Sequence, residues 1–187
     1  MKILFLDHDG VICLSNNWGT RHKKMTKYSK STGVHEKSLM PVEVRMDSFD
    51  QKAVKVLNEV LEITGAEIVI SSDWKLHATF DELCDLYEKS GISKKPIATT
   101  DNMQDFDPEN YNMYSWKGWV NRARVVEIRK FLNENPSITH WVAIDDLWLG
   151  KSNPEDPGLD NFVLTRRPMS EGIKQSGIKE ELLSYLK

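Results

Sequence analysis

The sequence predicts an α/β protein, a three-layer α/β/α sandwich built around a mostly parallel five-stranded sheet. Residues 3–6 form a continuous apolar run, which is typical of a strand covered on both faces in a parallel sheet. Further strand-like runs alternate with segments of helical apolar spacing, the order that builds parallel sheets. The length of 187 residues suits one domain with a modest insert, and we predict a single domain over residues 1–187.

Each element follows from a local pattern along the chain. Residues 48–64 have apolar side chains at helical spacing, and Gly65 follows where a C-terminal cap belongs. The segment 100–119, which includes Pro108, is predicted to be irregular. The predicted strands are residues 2–6, 67–70, 96–99, 138–144 and 162–164, and the predicted helices are residues 48–64, 79–89, 121–133 and 178–186, with a further cap at Gly91.

Composition and charge argue against several classes of protein. The formal net charge of −3 and the pI near 6.0 give no overall attraction to nucleic acid or anionic lipid, and the mean hydropathy of −0.49 argues against a membrane protein. The amino-terminal apolar run is far shorter than a signal sequence or a membrane span. Cys13 and Cys84 lie far apart, so we expect a reduced, cytoplasmic protein rather than a disulfide framework.

Polar side chains follow three of the predicted strands at the point where each strand ends. They are Asp7 and Asp9, Ser71 and Ser72, and Asp145 and Asp146. Because ligands of open α/β sheets bind outside the carboxyl ends of the strands, these groups are expected to converge. Clustered carboxylates repel one another unless a cation lies among them, and ligands that are all oxygen favour Mg²⁺ over zinc. The pattern therefore predicts a Mg²⁺ site suited to phosphoryl chemistry.

Each of these tips also has a purely structural interpretation. Asp-x-Asp-Gly is a common turn composition, and a Ser before a helix is most often an N-cap. Asp145 and Asp146, taken alone, are more typical of capping residues than of metal ligands. The three tips in one predicted sheet edge favour a functional site over three independent turns.

The motifs also resemble those of a known superfamily. Residues 3–11, ILFLDHDGV, resemble the first motif of the haloacid dehalogenase superfamily, residues 68–71 the second, and residues 141–146 the fourth. Within the superfamily, the chain is most similar to phosphatase-like domains of nucleic-acid end-repair proteins, including the Swiss army knife RNA-repair group. The supporting segments are residues 3–11, residues 69–74, residues 124–132, and residues 162–165 followed by Gly172 and Ile173.

This resemblance implies a Rossmann-like fold and a Mg²⁺-dependent phosphomonoester hydrolase. Asp7 would form an aspartyl-phosphate, Asp9 would act as acid and base, and Ser71 would bind a phosphoryl oxygen. The metal would be held by Asp7, Asp145, Asp146 and the backbone carbonyl of Asp9.

The third motif normally supplies a cation, and the sequence offers three candidates. We assign this role to Arg124 at the opening of a predicted helix, with Lys117 and Arg122 as close rivals. Taken singly, Arg124 also fits a solvated charge on a helix surface. Gly10, Ser72 and Lys117 are assigned to substrate binding.

Two further segments leave alternatives open. Residues 12–47 are predicted to be a small basic cap or loop insert, and a cap over the site and a solvated loop are equally compatible with its charge. An aromatic loop at residues 111–119 could stack bases, although packing against the core is favoured. The basic residues are Arg21, Lys23, Lys24, Lys27, Lys30 and Lys37, and the loop residues are Tyr111, Met113, Tyr114, Trp116 and Trp119.

The expected partners are a phosphorylated small molecule or a nucleic-acid end, and no membrane. One alternative is a phosphatase of nucleotides or small metabolites without any role on nucleic acid, which the net negative charge favours. Another is a catalytically idle module that keeps the fold and binds a phosphorylated partner or nucleic acid. The complete set of acidic residues argues against the second, because buried carboxylates are costly without a cation.

Overall fold

The computed structural model describes residues 1–101, 116–153, 156 and 158–187, with the backbone alone for residues 116–122. The strands are β1 (Lys2–Leu6), β2 (Glu67–Ile70), β3 (Ala98–Thr99), β4 (His140–Asp145) and β5 (Phe162–Leu164). The helices are α1 (Thr20–Thr32), α2 (Val42–Arg45), α3 (Gln51–Thr64), α4 (Phe80–Lys89), α5 (Trp116–Glu134) and α6 (Ile178–Leu186).

The five strands form one sheet in the order β3-β2-β1-β4-β5, and every pairing is parallel. The predicted α/β fold is confirmed. Strand β1 lies at the centre, where Phe5 pairs with Val69 of β2 and Ala143 of β4. Residues 3–6 are fully buried, as their continuous apolar character predicts. Strand β3 is shorter than predicted, and β4 begins two residues later than predicted.

Helices cover both faces of the sheet and produce the three layers. One hydrophobic cluster joins the sheet to α3, α4 and α6 through residues such as Leu57, Leu83 and Leu182. A second cluster joins the opposite face to α5 through Val125 and Ile128. Because both faces are covered, the exposed parts of β1 and its neighbours are their ends.

The helix ends largely follow the capping residues that the sequence contains. Helix α3 begins after Asp50, whose side chain accepts a hydrogen bond from the Ala53 amide at 2.9 Å. Gly65, with φ of 68°, ends the same helix as predicted. Helix α4 begins with a capping box formed by Thr79 and Glu82.

The prediction for the start of α5 was wrong. The helix begins at Trp116, so residues 116–119 are helical and not irregular as predicted. Gly118 and the closely spaced aromatic residues obscured the helical periodicity. Once a helix has formed, each added residue gains a backbone hydrogen bond, and one glycine does not stop its extension. The predicted aromatic residues Tyr111, Met113 and Tyr114 lie outside the described residues, as do the side chains of Trp116 and Trp119.

The basic stretch between β1 and α3 is largely helical. It contains α1 and the short α2, and no side chain of α1 is buried. Asp47 accepts hydrogen bonds from the backbone amides of Gly19 and Arg21 and from the hydroxyl of Thr20, which caps the amino-terminal end of α1. The stretch therefore contains regular helices and is not a continuous loop; its use as a cap over a site stays a prediction. In the described part of the chain, no helix is both long and apolar enough to cross a membrane.

The tail after β5 packs against the turn that follows β1. Gly172 has φ of 51°, and a Cβ at this position would lie 2.2 Å from the carbonyl oxygen of Val11. The next residue, Ile173, is fully buried and donates its amide to the same oxygen at 3.0 Å. Only glycine fits this close approach of two backbone segments.

We expect Gly172→Ala to destabilise the protein much more than Gly65→Ala. Both glycines have positive φ, so alanine at either site costs about 1–2 kcal/mol of backbone strain. A Cβ at Gly65 meets no atom within 4 Å, whereas a Cβ at Gly172 overlaps backbone and adds roughly 1–3 kcal/mol. Urea denaturation of both variants measures the difference, and equal destabilisation would contradict the tight contact at Gly172.

Candidate active site

The tips of β1, β2 and β4 lie side by side at the carboxyl edge of the sheet. The Asp7 amide donates to the carbonyl oxygen of Ile144 at 3.1 Å, and the Ser71 amide donates to that of Leu6 at 3.0 Å. Asp145 is the last residue of β4. The ladder hydrogen bonds thus continue just beyond β1 and β2, and they bring Asp7, Ser71 and Asp145 to one place, as the order of the strands requires.

Three carboxylates meet at this edge. Asp7, Asp145 and Asp146 each offer one oxygen atom, and these atoms all lie within 4.8 Å of one another. Asp7 and Asp145 are buried, with 2% and 1% of their surface exposed, and Asp146 is half-buried. Burial raises the pKa of Asp7 well above its usual value and raises that of Asp145. Burial, together with the charge of Asp145, raises the pKa of Asp146 to about 6.

Arg124 provides the positive charge in this group. Its Nη1 atom lies 2.6 Å from Asp145 Oδ2 and 3.2 Å from Asp7 Oδ1, and its Nη2 atom lies 2.9 Å from Asp73 Oδ1. Burial acts to lower the pKa of Arg124, but Asp7 and Asp145 outweigh it and raise the pKa well above its ordinary value. The guanidinium therefore stays charged and connects the ends of β1 and β4 to α5.

The side chains of the other two candidates for the third-motif cation, Lys117 and Arg122, lie outside the described residues. Among the described side chains, Arg124 is the cation that contacts the carboxylate cluster directly.

Lys75 lies nearby, but it binds other groups. Its Nζ atom forms an ion pair with Glu127 of α5 and hydrogen bonds with the Thr100 hydroxyl and the Asp101 carbonyl oxygen. Glu127 is three residues after Arg124 and therefore lies on a neighbouring part of the same helix face. The Lys75–Glu127 ion pair joins α5 to the segment after β2. Because Glu127 is one helical turn from Arg124, this ion pair helps to hold Arg124 at the ends of the strands.

The residues of the cluster fit a hard divalent cation. Three carboxylates and one guanidinium leave an excess of two negative charges when the carboxylates are ionised, and all the available ligand atoms are oxygen.

Gly10 allows the turn after β1 to approach Asp146 closely. It has φ of 71°, and a Cβ on it would lie 2.7 Å from the Asp146 Cβ and 2.8 Å from Asp146 Oδ2. The predicted contact of Gly10 with substrate stays a prediction.

The two serines after β2 have different environments. The Ser71 hydroxyl oxygen is buried, and no hydrogen-bond partner for it exists within the described residues. Such an atom beside Asp7 is suited to a ligand oxygen. The Ser72 side chain accepts a hydrogen bond from the Trp74 amide, so it caps the short helical turn Asp73–Leu76. The N-cap alternative therefore applies to Ser72.

Asp9 lies beside the carboxylate cluster, in a different environment. Its side chain accepts a hydrogen bond from the indole Nε1 of Trp74 at 2.9 Å and does not belong to the carboxylate cluster found among the described residues. Burial raises the pKa of Asp9, and the hydrogen bonds from Trp74 and Cys13 offset part of this effect. The predicted backbone-carbonyl contact of Asp9 with a metal stays a prediction.

Sequence reasoning missed three residues of this site. Asp73 binds Arg124, Trp74 binds Asp9, and His8 lies between the two aspartates of the first motif. His8 is fully buried, its Nε2 atom hydrogen-bonds with the Tyr87 hydroxyl at 2.7 Å, and burial lowers its pKa to about 3. It is therefore neutral at physiological pH. Asp73 and Trp74 directly follow Ser71 and Ser72 in the sequence, and this proximity to predicted site residues was the signal that could have identified them.

A parallel sheet with Asp-x-Asp after its central strand, Ser after one neighbour and two Asp after the other defines a protein of the haloacid dehalogenase type. The family model described as "HAD domain in Swiss Army Knife RNA repair proteins" matches residues 3–175, and the chain belongs to this family. Membership supports a role as a phosphatase-type hydrolase. Neither a curated protein nor a solved structure matches the chain.

We expect Mg²⁺ to raise the melting temperature more above pH 6 than below pH 5. The folded-state pKa of Asp146 is about 6 against an ordinary value of 3.8, so the folded protein holds a proton that the unfolded chain releases between these values. The stability from this proton is complete below the ordinary pKa and is lost as pH rises through about 6. Mg²⁺ and the proton compete for the same oxygens, so the ion stabilises most where the proton is absent.

Thermal melts with and without Mg²⁺ at several pH values measure this effect. Asp146→Asn should remove most of the Mg²⁺-induced shift, and Asp73→Asn is the matched control. Asp73 is 61% exposed and contacts Arg124, but it lies outside the carboxylate cluster. A shift that is unchanged in Asp146→Asn, or independent of pH, would place the ion elsewhere.

Proposed function

We propose that the protein is a Mg²⁺-dependent phosphomonoester hydrolase that acts through an aspartyl-phosphate on Asp7. The observation that carries the proposal is that the two aspartates of the first motif, Asp7 and Asp9, lie in different environments. Asp7 lies among Arg124, Asp145 and the hydroxyl of Ser71, which has no partner among the described residues, while Asp9 lies in a separate, less polar environment beside Trp74. One carboxylate is thereby suited to attack phosphorus and the other to move a proton.

In the first step, a carboxylate oxygen of Asp7 attacks the phosphorus atom, and the bond between phosphorus and the leaving oxygen breaks. Arg124 and Ser71 bind oxygens of the phosphoryl group as charge develops on them. Asp9 donates a proton to the leaving oxygen, which departs as an alcohol. Mg²⁺ held by Asp7, Asp145 and Asp146 would neutralise charge on the phosphoryl oxygens.

In the second step, water attacks the phosphorus atom of the aspartyl-phosphate. Asp9, now ionised, accepts a proton from this water, and the bond between phosphorus and the Asp7 oxygen breaks. Inorganic phosphate leaves, Asp7 is regenerated as a carboxylate and Asp9 as an acid. The raised pKa of Asp9 suits this exchange, because a group that both donates and accepts a proton works best near the ambient pH.

We propose nucleic-acid ends as the substrate class. The family is defined by domains of RNA repair proteins, and helix α1 bears basic residues without a single acidic one. Lys23, Lys27 and Lys30 are exposed on this helix, so they are accessible to a phosphodiester backbone. The net charge of −3 favours the alternative of a mononucleotide or a sugar phosphate.

A catalytically idle binding module is a weaker candidate. Such a protein needs a phosphate-binding surface but no carboxylate nucleophile. Here Asp7 and Asp145 are almost fully buried with raised pKa values, which is an unfavourable arrangement for a module that only binds anions. Phosphate-dependent partner binding without Mg²⁺ and without turnover would favour it.

We expect Asp7→Asn to reduce phosphatase activity by at least about a thousandfold, because the amide is too weak a nucleophile to form the covalent intermediate. The substitution keeps the size of the side chain and leaves Arg124 paired with Asp145, but it removes the Asp7 partner of that buried guanidinium, so a thermal melt of the variant accompanies the assay to show that it is folded. A panel of phosphomonoesters assayed with and without Mg²⁺ measures the loss, and Asp73→Asn again serves as the control. Undiminished turnover by Asp7→Asn excludes the aspartyl-phosphate.

We expect the double substitution Lys27→Glu/Lys30→Glu to lower kcat/KM for phosphorylated oligonucleotides by about tenfold at low salt. Activity on a small phosphomonoester should not change, because the substitutions lie on an exposed helix. Lys52→Glu/Lys55→Glu makes the same charge change on the exposed surface of α3 and is the control. Equal kcat/KM for oligonucleotides in both double variants, or no preference of the wild type for oligonucleotides, contradicts the nucleic-acid proposal.

A further inference from the structure

Trp74 makes one polar contact that the proposed reaction does not yet explain. Its indole Nε1 donates to Asp9 Oδ2 at 2.9 Å, and its side chain is buried, with 5% of the residue exposed. An indole N–H is a donor only, and a carboxyl oxygen can accept from it whether or not the acid is protonated. The hydrogen bond is therefore compatible with both forms of Asp9 that the reaction needs.

The indole itself is held by an aromatic cluster below the strand tips. Trp74 stacks on Phe49 with a centroid distance of 5.2 Å and an interplanar angle of 17°, and its ring meets that of His8 nearly edge-on at 4.7 Å. Phe49 and His8 both pack against Tyr87, and the Tyr87 hydroxyl binds His8. Rings arranged in this way leave the indole little freedom to rotate.

The backbone of Trp74 is also fixed next to the first motif. Trp74 belongs to the short helical turn that Ser72 caps, and the Ser71 amide just before this turn donates to the carbonyl oxygen of Leu6, the residue before Asp7, at 3.0 Å. The segment after β2 therefore contacts the first motif twice, through the backbone at Ser71 and through the indole of Trp74.

We infer that Trp74 is a positioning residue for the acid/base Asp9. Its indole N–H holds one oxygen of the Asp9 carboxyl group, so that the other oxygen faces the leaving oxygen of the substrate. The inference rests on the proposed function. An aspartate side chain has two free torsions, and a hydrogen bond from a fixed donor restricts both. The Cys13 thiol also hydrogen-bonds with Asp9, but it is a weak donor. A carboxyl group displaced by about 1 Å loses much of its catalytic effect.

Substrates whose leaving groups differ in basicity distinguish a positioning role of Trp74 from a purely structural one. A substrate such as p-nitrophenyl phosphate departs as a stable anion and needs little help from an acid, whereas an alkyl phosphate departs as a strong base and depends on the proton from Asp9. The parameter kcat/KM covers the steps up to formation of the aspartyl-phosphate, so it isolates the step in which Asp9 donates. A residue that only supports the fold affects both substrates alike.

The experiment compares Trp74→Phe with wild type on these two substrates in the presence of Mg²⁺. Phenylalanine keeps an aromatic ring in the cluster and removes the N–H. We expect kcat/KM to fall about thirtyfold or more for the alkyl phosphate and less than about threefold for p-nitrophenyl phosphate. Asp9→Asn should show the same selectivity with a larger loss. Equal losses on both substrates, or no loss on either, overturn the inference.

Phe49→Leu leaves the N–H in place and weakens the stacking that fixes the indole, so we expect a smaller loss of kcat/KM with the same selectivity for the alkyl phosphate. Leu83→Ala, at a buried residue of the same hydrophobic cluster, is the packing control, and we expect it to lower kcat/KM for the two substrates by similar factors. If Trp74→Phe does not fold, 3-benzothienylalanine incorporated at position 74 keeps the shape of the indole and has sulfur where the N–H was. The same selectivity is expected from it, and its absence overturns the inference.

The two proposals fail in distinguishable ways. A wild-type protein that hydrolyses neither phosphomonoester with Mg²⁺ removes the proposed function and the role of Trp74 with it. A wild type that is active and depends on Asp7, combined with a Trp74→Phe variant that loses activity equally on both substrates, removes the role of Trp74 alone.

Discussion

The ion pairs of Arg124 with Asp7 and Asp145 are the interaction on which the rest of the site depends. Two carboxylates that are almost entirely removed from water repel one another and lose their hydration, and a buried counter-charge is what offsets both effects. Arg124 comes from α5, which covers one face of the sheet, while the carboxylates come from the ends of β1 and β4. The charge balance of the site therefore depends on how α5 packs against the sheet.

Apolar contacts, an ion pair and a glycine together fix the position of α5 relative to the ends of the strands. Apolar contacts of Val125 and Ile128 hold α5 on the sheet, and the Lys75–Glu127 ion pair fixes its position relative to the segment after β2. Gly10 completes the arrangement on the strand side, because any side chain there would overlap Asp146. These contacts place rigid elements around the carboxylates, as preorganised sites require, and leave little adjustment to the charged groups themselves.

Much of the fold could be predicted from the sequence because it depends on local patterns. The continuous apolar run of β1, the cap at Gly65 and the alternation of strands and helices each act within a few residues. The convergence of Asp7, Ser71 and Asp145 followed from the topology of a parallel sheet, which brings strand ends together without knowledge of side-chain positions. The start of α5 was missed because a glycine and clustered aromatic residues hid its periodicity.

The contacts of Trp74 with Asp9 and of Asp73 with Arg124 could not be predicted in the same way. Each joins residues more than fifty positions apart, and each depends on the angle of a side chain, which packing determines and periodicity does not. A hydrogen bond of 2.9 Å requires both partners to be fixed within a few tenths of an ångström. Such contacts become visible only when the packed neighbours are known.

The two aspartates of the first motif show how one turn can supply two chemical roles. They are two residues apart and both are largely buried, yet Asp7 faces a guanidinium and two carboxylates, while Asp9 faces an indole within an aromatic cluster. The first environment stabilises negative charge and the arriving phosphoryl group, and the second tolerates a protonated acid. Because the aromatic cluster is neutral, with His8 uncharged at its centre, it separates the two roles without adding a charge of its own.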